Sequence, residues 1–289
     1  MTPSKKGVEI STPPLRAYID VLVARRRKSK GWSWPARLAV ALMLGAGVAA
    51  AALWLRLPDA SHLARENPRT TALMSERAAQ AKDAGRRVKR AQRWVPLPRI
   101  SEELVNAVVD SEDARFYEHE GIDVVEVEHA FADALEKGRM RGASTITQQL
   151  AKNLWLSEER TAWRKVEEAV LARRLEALGK DRVLELYLNI VEWGDGVYGA
   201  EAAAQAAFGK RAQDLDAAEA ALLAATLPAP LRRDPRHPSA RLLARARAIV
   251  KLMRAYGQLD DERSAAARAR LDGLAVATTT GGAGESRCP

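Results

Sequence analysis

Eighteen consecutive residues, Leu38 to Leu55, carry no charged or strongly polar side chain. A chain with such a run must hide it, in a bilayer or in the core of a large domain. As an α-helix the run spans about 27 Å, close to the hydrocarbon thickness of a membrane. Trp32, Trp34 and Trp54 flank it, where interfacial aromatics sit. Nine basic residues precede it (Lys5, Lys6, Arg16, Arg25, Arg26, Arg27, Lys28, Lys30 and Arg37), opposed only by Glu9 and Asp20. The positive-inside rule then keeps the N-terminus in the cytoplasm and puts everything after Arg56 outside. A cleaved signal, with Ala49 to Ala52 imitating the cleavage site, and a buried core helix are the alternatives. The long basic leader and the length of the run favour an anchor.

Beyond the run the chain reads as helical. Hydrophobic residues make up 47%, enough for a sizeable core, while aromatics are only 5% and Ala is abundant; that balance favours helix over sheet. Residues 56–94 are polar, with basic clusters at Arg86-Arg87 and Lys89-Arg90 and a weak helical pattern. They read either as a solvated juxtamembrane segment or as a lobe that meets lipid. Pro96 and Pro98 break the chain, and Ser101 caps a new helix with Glu102 and Glu103 in its first turn. Helices are then predicted over 122–135, 145–154, 161–178, 182–191, 200–207, 215–226 and 240–256, punctuated by Gly and Pro. No alternating strand pattern of useful length appears. The end from Thr278 is low-complexity and reads as disordered. The expected architecture is all-α: a cytoplasmic basic tail over 1–37, an anchor over 38–57, a folded domain over 58–260 and a C-terminal extension over 261–289.

The single cysteine, Cys288, rules out an intramolecular disulfide and a thiolate zinc site. The net charge of +9 suits an anionic partner, and composition alone does not choose among nucleic acid, lipid head groups and pyrophosphates.

Two polar runs stand out from the helical packing pattern. Leu104, Val105, Val108 and Val109 mark an apolar face, and Glu112 falls next on it. A carboxylate where a core residue belongs should have a raised pKa, which is how proteins make a general acid or base. Some thirty residues later, Ser144, Thr145, Thr147, Gln148 and Gln149 offer donors and acceptors within six positions. They can cap a helix, with Ser144 or Thr145 as N-cap, and the same helix N-terminus can receive an anion. His119-Glu120-Gly121 lacks a second histidine at zincin spacing, so His119 reads as a hydrogen-bonding structural residue.

Five segments in order resemble the motifs of the peptidoglycan glycosyltransferases, the family that polymerises lipid II into glycan strands. They are Glu112-Asp113-x-x-Phe116-x-x-His119-x-Gly121; Gly142-x-Ser144-Thr145-Ile146-Thr147-Gln148-Gln149; Arg164-Lys165-x-x-Glu168; Lys180-x-x-Val183-Leu184-Glu185-x-Tyr187-Leu188-Asn189; and the stretch from Gly196 to Lys210. The likeness covers roughly Trp94 to Gly257 and is strongest to the monofunctional, membrane-anchored members, which share a Glu-Trp-Gly-Asp-Gly segment like Glu192–Gly196.

The resemblance implies a lysozyme-like glycosyltransferase domain, outside the inner membrane of a bacterium. It implies transfer of a polyprenyl-pyrophosphate-linked strand onto the 4-hydroxyl of lipid II, forming a β-1,4 link with inversion. Glu112 matches the family's base. Lys152 and Arg160 match positions that bind the leaving pyrophosphate; Ser144, Thr145, Gln148 and Gln149 match sugar and phosphate contacts; Arg164 belongs with them. Asp113 can position Glu112 or a basic neighbour, or be structural. On the 161–178 helix, geometry alone favours Glu167, in line with Trp163, Val170 and Leu178, as the unusual residue, whereas the family spacing picks Glu168, as general acid or electrostatic support. No organic cofactor is implied; a divalent cation, magnesium or manganese, can share the pyrophosphate's charge, without a dedicated metal site in the sequence. The implied partners are lipid II, the growing strand, the membrane and other cell-wall synthesis or division proteins, not nucleic acid. No Ser-x-x-Lys with Ser-x-Asn and Lys-Thr-Gly partners is present, so the chain is expected to polymerise glycan without crosslinking it. A lysozyme-like wall-cleaving enzyme and an inactive membrane-anchored scaffold are the rival readings.

Overall fold

The computed structural model describes residues 32–138, 142–157 and 161–281, with Arg16, Ile19 and Asp20 besides. The basic leader other than Arg16 and Arg37, the proposed pyrophosphate ligand Arg160, and the tail beyond Gly281 lie outside the described residues. The chain divides into two units, Met1–Arg56 and Leu57–Pro289.

In the first unit, helix α1 covers Trp34–Arg56 and contains the apolar run. Among the described residues it is the one helix long and apolar enough to cross a membrane. Leu38, Leu42, Met43, Leu44 and Val48 are all exposed on it.

The second unit is mostly helical. Its elements are α2 (Ala72–Asp83), β1 (Ala91–Gln92), α3 (Glu102–Glu112), α4 (Val124–Lys137), α5 (Ile146–Trp155), α6 (Ala162–Glu176), α7 (Lys180–Ile190), β2 (Glu192–Gly194), β3 (Val197–Tyr198), α8 (Ala200–Phe208), α9 (Ala217–Ala224), α10 (Ala240–Ala255) and α11 (Asp261–Gly281). All eight residues of α9 are buried. Its alanines let neighbours approach closely, and α3, α10 and α11 pack around it. A second group joins α5 to α6, α7 and α2. Leu104, Val108, Phe116, Leu150, Leu171 and Leu184 belong to one continuous core.

Residues 57–83 do not form a solvated linker. Leu63, Leu73 and Met74 are buried, and α2 packs on α5. Arg182 donates to the Leu63 and Glu66 carbonyls at 2.8 and 2.9 Å, Arg174 to the Leu57 and Pro58 carbonyls at 2.7 Å, and Arg77 pairs with Glu192 at 2.9 Å. These guanidinium bonds satisfy backbone carbonyls that lack a regular partner. A few strands of two or three residues form a small sheet, order β1-β3-β2. Parallel pairing sets Ala91 opposite Val197, and β2 runs antiparallel to β3. Two glycines make it possible: at Gly196 (φ +73°) and Gly199 (φ +84°) a Cβ would strike the Lys89 backbone at 2.7 Å and the Asn189 carbonyl oxygen at 2.6 Å. The extension past Asp260 is folded at its start, where Ser264, Ala267 and Leu271 are buried and α11 lies along α10 and α9.

Candidate active site

Glu112 ends α3. Ser101 starts that helix by accepting from Leu104 N–H at 3.1 Å, and Leu104, Ala107 and Val108 bury its inner face. The helix thus delivers Glu112 to the edge of the core, its side chain 11% exposed. Gln149 Nε2 donates to Glu112 Oε2 at 3.1 Å, and Arg245 reaches Oε1 at 3.4 Å. Burial dominates and pushes the Glu112 pKa above the ordinary carboxylate value; the Gln149 bond and the charges of Arg245 and Arg233 pull it down without prevailing. A carboxylate desolvated in this way has a raised proton affinity, as a general base needs.

Asp113, next in sequence, is committed elsewhere. His119 Nδ1 accepts from Gly121 N–H at 3.2 Å, so Nε2 carries the proton and donates to both Asp113 oxygens, at 2.9 and 3.1 Å. Asp113 Oδ2 also accepts from Ile146 N–H at 2.9 Å, in the first turn of α5. Asp113 therefore fastens α3's end to α5 and makes no bond to Glu112. Asp113, His119 and Asp123 do bring ligand atoms within 4.8 Å of one another. Both imidazole nitrogens are used, however, and Asp123 caps α4 through Glu126 N–H and pairs with Arg115. As placed, these residues bond to one another and to Gly121, Glu126 and Arg115.

The Ser-Thr-Ile-Thr-Gln-Gln run divides its labour. Thr145 is the N-cap of α5 in a capping box with Gln148, and its hydroxyl donates to the Gly121 carbonyl at 2.7 Å. Thr147 donates to Glu176 at 2.6 Å. Thr145, Thr147 and Gln148 are buried, so these three build the scaffold. Gln149 turns to Glu112, and Ser144 accepts from Lys165 Nζ at 3.0 Å. Lys165 and Arg164 in turn hold Glu168, the latter at 2.8 Å. Glu168 is 2% exposed and lies on the core face of α6 with Leu171, Ala172 and Leu175. Glu167, by contrast, is not buried. The run therefore links Glu112 at one end to the Glu168 cluster at the other. Lys152 is half-buried in the last turn of α5.

Sequence reasoning missed Arg245 and Arg233. Arg245 flanks the apolar face of α10 formed by Leu242, Ala246 and Ile249, and a cation beside such a stripe was the available signal. Arg233 donates to the Ala225 carbonyl at 2.6 Å; burial and repulsion from Arg245 and Arg241 lower its pKa, while Glu112 raises it. A cavity of about 450 Å³ has Trp193, Leu231 and Arg233 in its wall, but Glu112 is not in its lining.

Residues 79–254 match the family described as Transglycosylase. The chain belongs to the transglycosylase family. Transglycosylases similar to it include proteins named biosynthetic peptidoglycan transglycosylase. The one from Laribacter hongkongensis is 46% identical over 189 residues, 65% of this chain and 83% of the relative. That from Chromobacterium violaceum is 45% identical over 195 residues, 67% and 85% of the two chains. That from Rhodospirillum centenum is 52% identical over 163 residues, 56% and 71% of the two chains. The transglycosylase match contains Glu112, Gln149, Glu168 and Arg245, and excludes α1.

Proposed function

We propose that this transglycosylase polymerises peptidoglycan glycan strands from lipid II. The observation that carries the reading is Glu112: a carboxylate at the core edge, with raised proton affinity, one long ion pair and an amide donor. In the proposed step the lipid II 4-hydroxyl oxygen attacks the anomeric carbon of the strand's terminal sugar. Its proton passes to Glu112 Oε, the bond from that carbon to the polyprenyl pyrophosphate breaks, and the pyrophosphate leaves with the electron pair. One displacement inverts the α-linked donor to a β-1,4 product. Cations near the site offset the charge that accumulates on the leaving group. Lys152 and Arg160 are assigned this role from the family motif, and Arg164, Lys165 and Glu168 form a charged cluster joined through Ser144 to the same helix start. A divalent cation on the pyrophosphate is compatible with this chemistry, and no step is assigned to it.

The apolar α1 is read as a single-pass anchor with the N-terminus cytoplasmic and the domain periplasmic. The domain also exposes Val124, Phe131 and Leu135 on α4 and Trp163 and Val166 on α6, a surface suited to lipid-linked substrates. The test is the purified full-length protein with labelled lipid II. Wild type should form polymer, and Glu112→Gln, nearly isosteric but unable to take the proton, should lose at least ~10²-fold in rate while staying folded. Near-normal turnover by that variant would remove Glu112 from the chemistry.

A further inference from the structure

Most of the fourth motif is scaffolding. Lys180 pairs with Glu176 at 3.0 Å and lies over the Phe116 ring; Glu185 accepts from Leu97 N–H at 2.9 Å; Asn189 accepts from Val95 N–H and donates back to the Val95 carbonyl. Tyr187, on the same helix α7, does something else. It is fully buried, and its hydroxyl donates to Gln149 Oε1 at 2.9 Å. Gln149 then donates from Nε2 to Glu112 Oε2 at 3.1 Å. A three-member chain runs from the core to the carboxylate.

The direction of that chain is what matters. The two ends of an amide have nearly the same shape, one a donor and the other an acceptor. Facing Glu112 with N–H favours the carboxylate; facing it with C=O favours the carboxylic acid. Gln149 is the one hydrogen-bond partner of the Tyr187 hydroxyl among the described residues. If the amide reversed, the phenolic O–H would be left buried without an acceptor, an expensive arrangement. Nor does the phenol ionise: burial first, and then the charges of Glu112 and Asp113, push its pKa well above the ordinary tyrosine value.

We infer that Tyr187 is a positioning residue, fixing the polarity of the Gln149 amide so that its N–H faces Glu112 and the base stays in its proton-accepting form. This rests on the reading of Glu112 as the base. The other groups facing that carboxylate are Arg245 from α10 and Arg233 from the loop before it. Helix α9, packed along α3, offers one ionisable side chain, Glu219, which is held by Lys210 and Arg270.

Tyr187→Phe deletes one oxygen. Two readouts on the full-length protein in detergent follow it: the ¹³C NMR titration of the Glu112 carboxyl, assigned with Glu112→Gln, and the pH dependence of kcat/KM on lipid II. The Glu112 midpoint should rise by about one pH unit, and the acid limb of the rate profile should move with it. The loss is then roughly tenfold below the limb and shrinks towards wild type above it. Gln149→Met, which has no N–H, should raise the midpoint by itself and make Tyr187→Phe silent in its background. An unmoved midpoint in folded Tyr187→Phe, or a shift that persists in the Gln149→Met background, overturns the inference. If Tyr187→Phe does not fold, Gln149→Met decides, and an unmoved midpoint there also overturns it. The titration needs no lipid II, so a wild-type protein that made no polymer would count against the enzymatic reading and leave this one tested.

Discussion

Glu168 is buried and Glu112 nearly so at the core edge, both are linked to the polar start of α5, and they are held in opposite ways. Glu168 meets Arg164 at 2.8 Å and Lys165 besides, so its negative charge is matched by two cations. Glu112 has an amide donor and one guanidinium at 3.4 Å, and burial outweighs both. A carboxylate clamped between two cations is fixed in place. A carboxylate desolvated with little compensation is ready to take a proton. The difference in pairing argues for Glu112 as the base and Glu168 as electrostatic support.

Two amide substitutions probe the contrast most strongly, because stability and activity should part company. Glu112→Gln should lose at least ~10²-fold in polymerisation without a lower Tm, since the charge it removes is one that burial penalises. Glu168→Gln should lower the stability by roughly 3 kcal/mol, because it leaves the Arg164 guanidinium buried without its partner. Lys165 is half exposed, so solvent screens part of that cost. Thermal melts beside lipid II turnover give the comparison. If the two variants melted alike, burial would not distinguish the two glutamates.

A smaller effect is expected two residues before Glu112. Asp110 is buried and, among the described residues, makes no ion pair; burial raises its pKa to about 6 from 3.8, with the Gln258 bond opposing. Gln258 Nε2 donates to Oδ1 at 3.1 Å, while Asp110 Oδ2 and Gln258 Oε1 have no partner among the described residues. The folded state therefore binds the Asp110 proton more tightly than the unfolded chain does. Its contribution is fully present below pH 3.8 and is lost as pH rises through about 6. Asp110→Asn needs no proton and can give an N–H to Gln258 Oε1. Its Tm should match wild type near pH ~4 and exceed it near pH ~7.5, by the equivalent of about 1–2 kcal/mol. An equal gap at both pH values would mean that the carboxyl does not titrate in this window.

What could be read from the chain follows from range. Helices α3 to α10 announce themselves through local period and punctuation, as with Ser101 before α3 and Thr145 before α5. Helix α2 did not, because only Leu73 and Met74 are buried in it and the partner of its Arg77, Glu192, lies 115 residues away. Strands of two or three residues are too short to show a period. Within the site, Glu112 and the α5 run were legible as departures from packing patterns. Arg245, Arg233 and the reach of Tyr187 to Gln149 depend on helices meeting in space, which no spacing encodes.

The smallest expected effect decides a place where helical geometry and family likeness disagreed. Geometry put Glu167 in line with Trp163, Val170 and Leu178, as if that stripe faced the core. Trp163 is 54% exposed and Glu167 and Val170 are only partly buried, so along α6 the stripe runs beside the core face and not on it, and the large apolar ring at 163 was a misleading marker. The core face is one position further round, through Glu168, Leu171 and Leu175. Glu167 makes no ion pair to the described residues, whereas Glu168 makes two. Glu167→Gln should therefore stay within ~0.5 kcal/mol of wild type in stability and within about twofold in lipid II turnover. Measured beside Glu168→Gln, it isolates burial and pairing from mere sequence adjacency. A loss at 167 as large as that at 168 would show that the face of α6 that carries Trp163 takes part in the reaction, and the contrast between Glu112 and Glu168 would have to be redrawn around it.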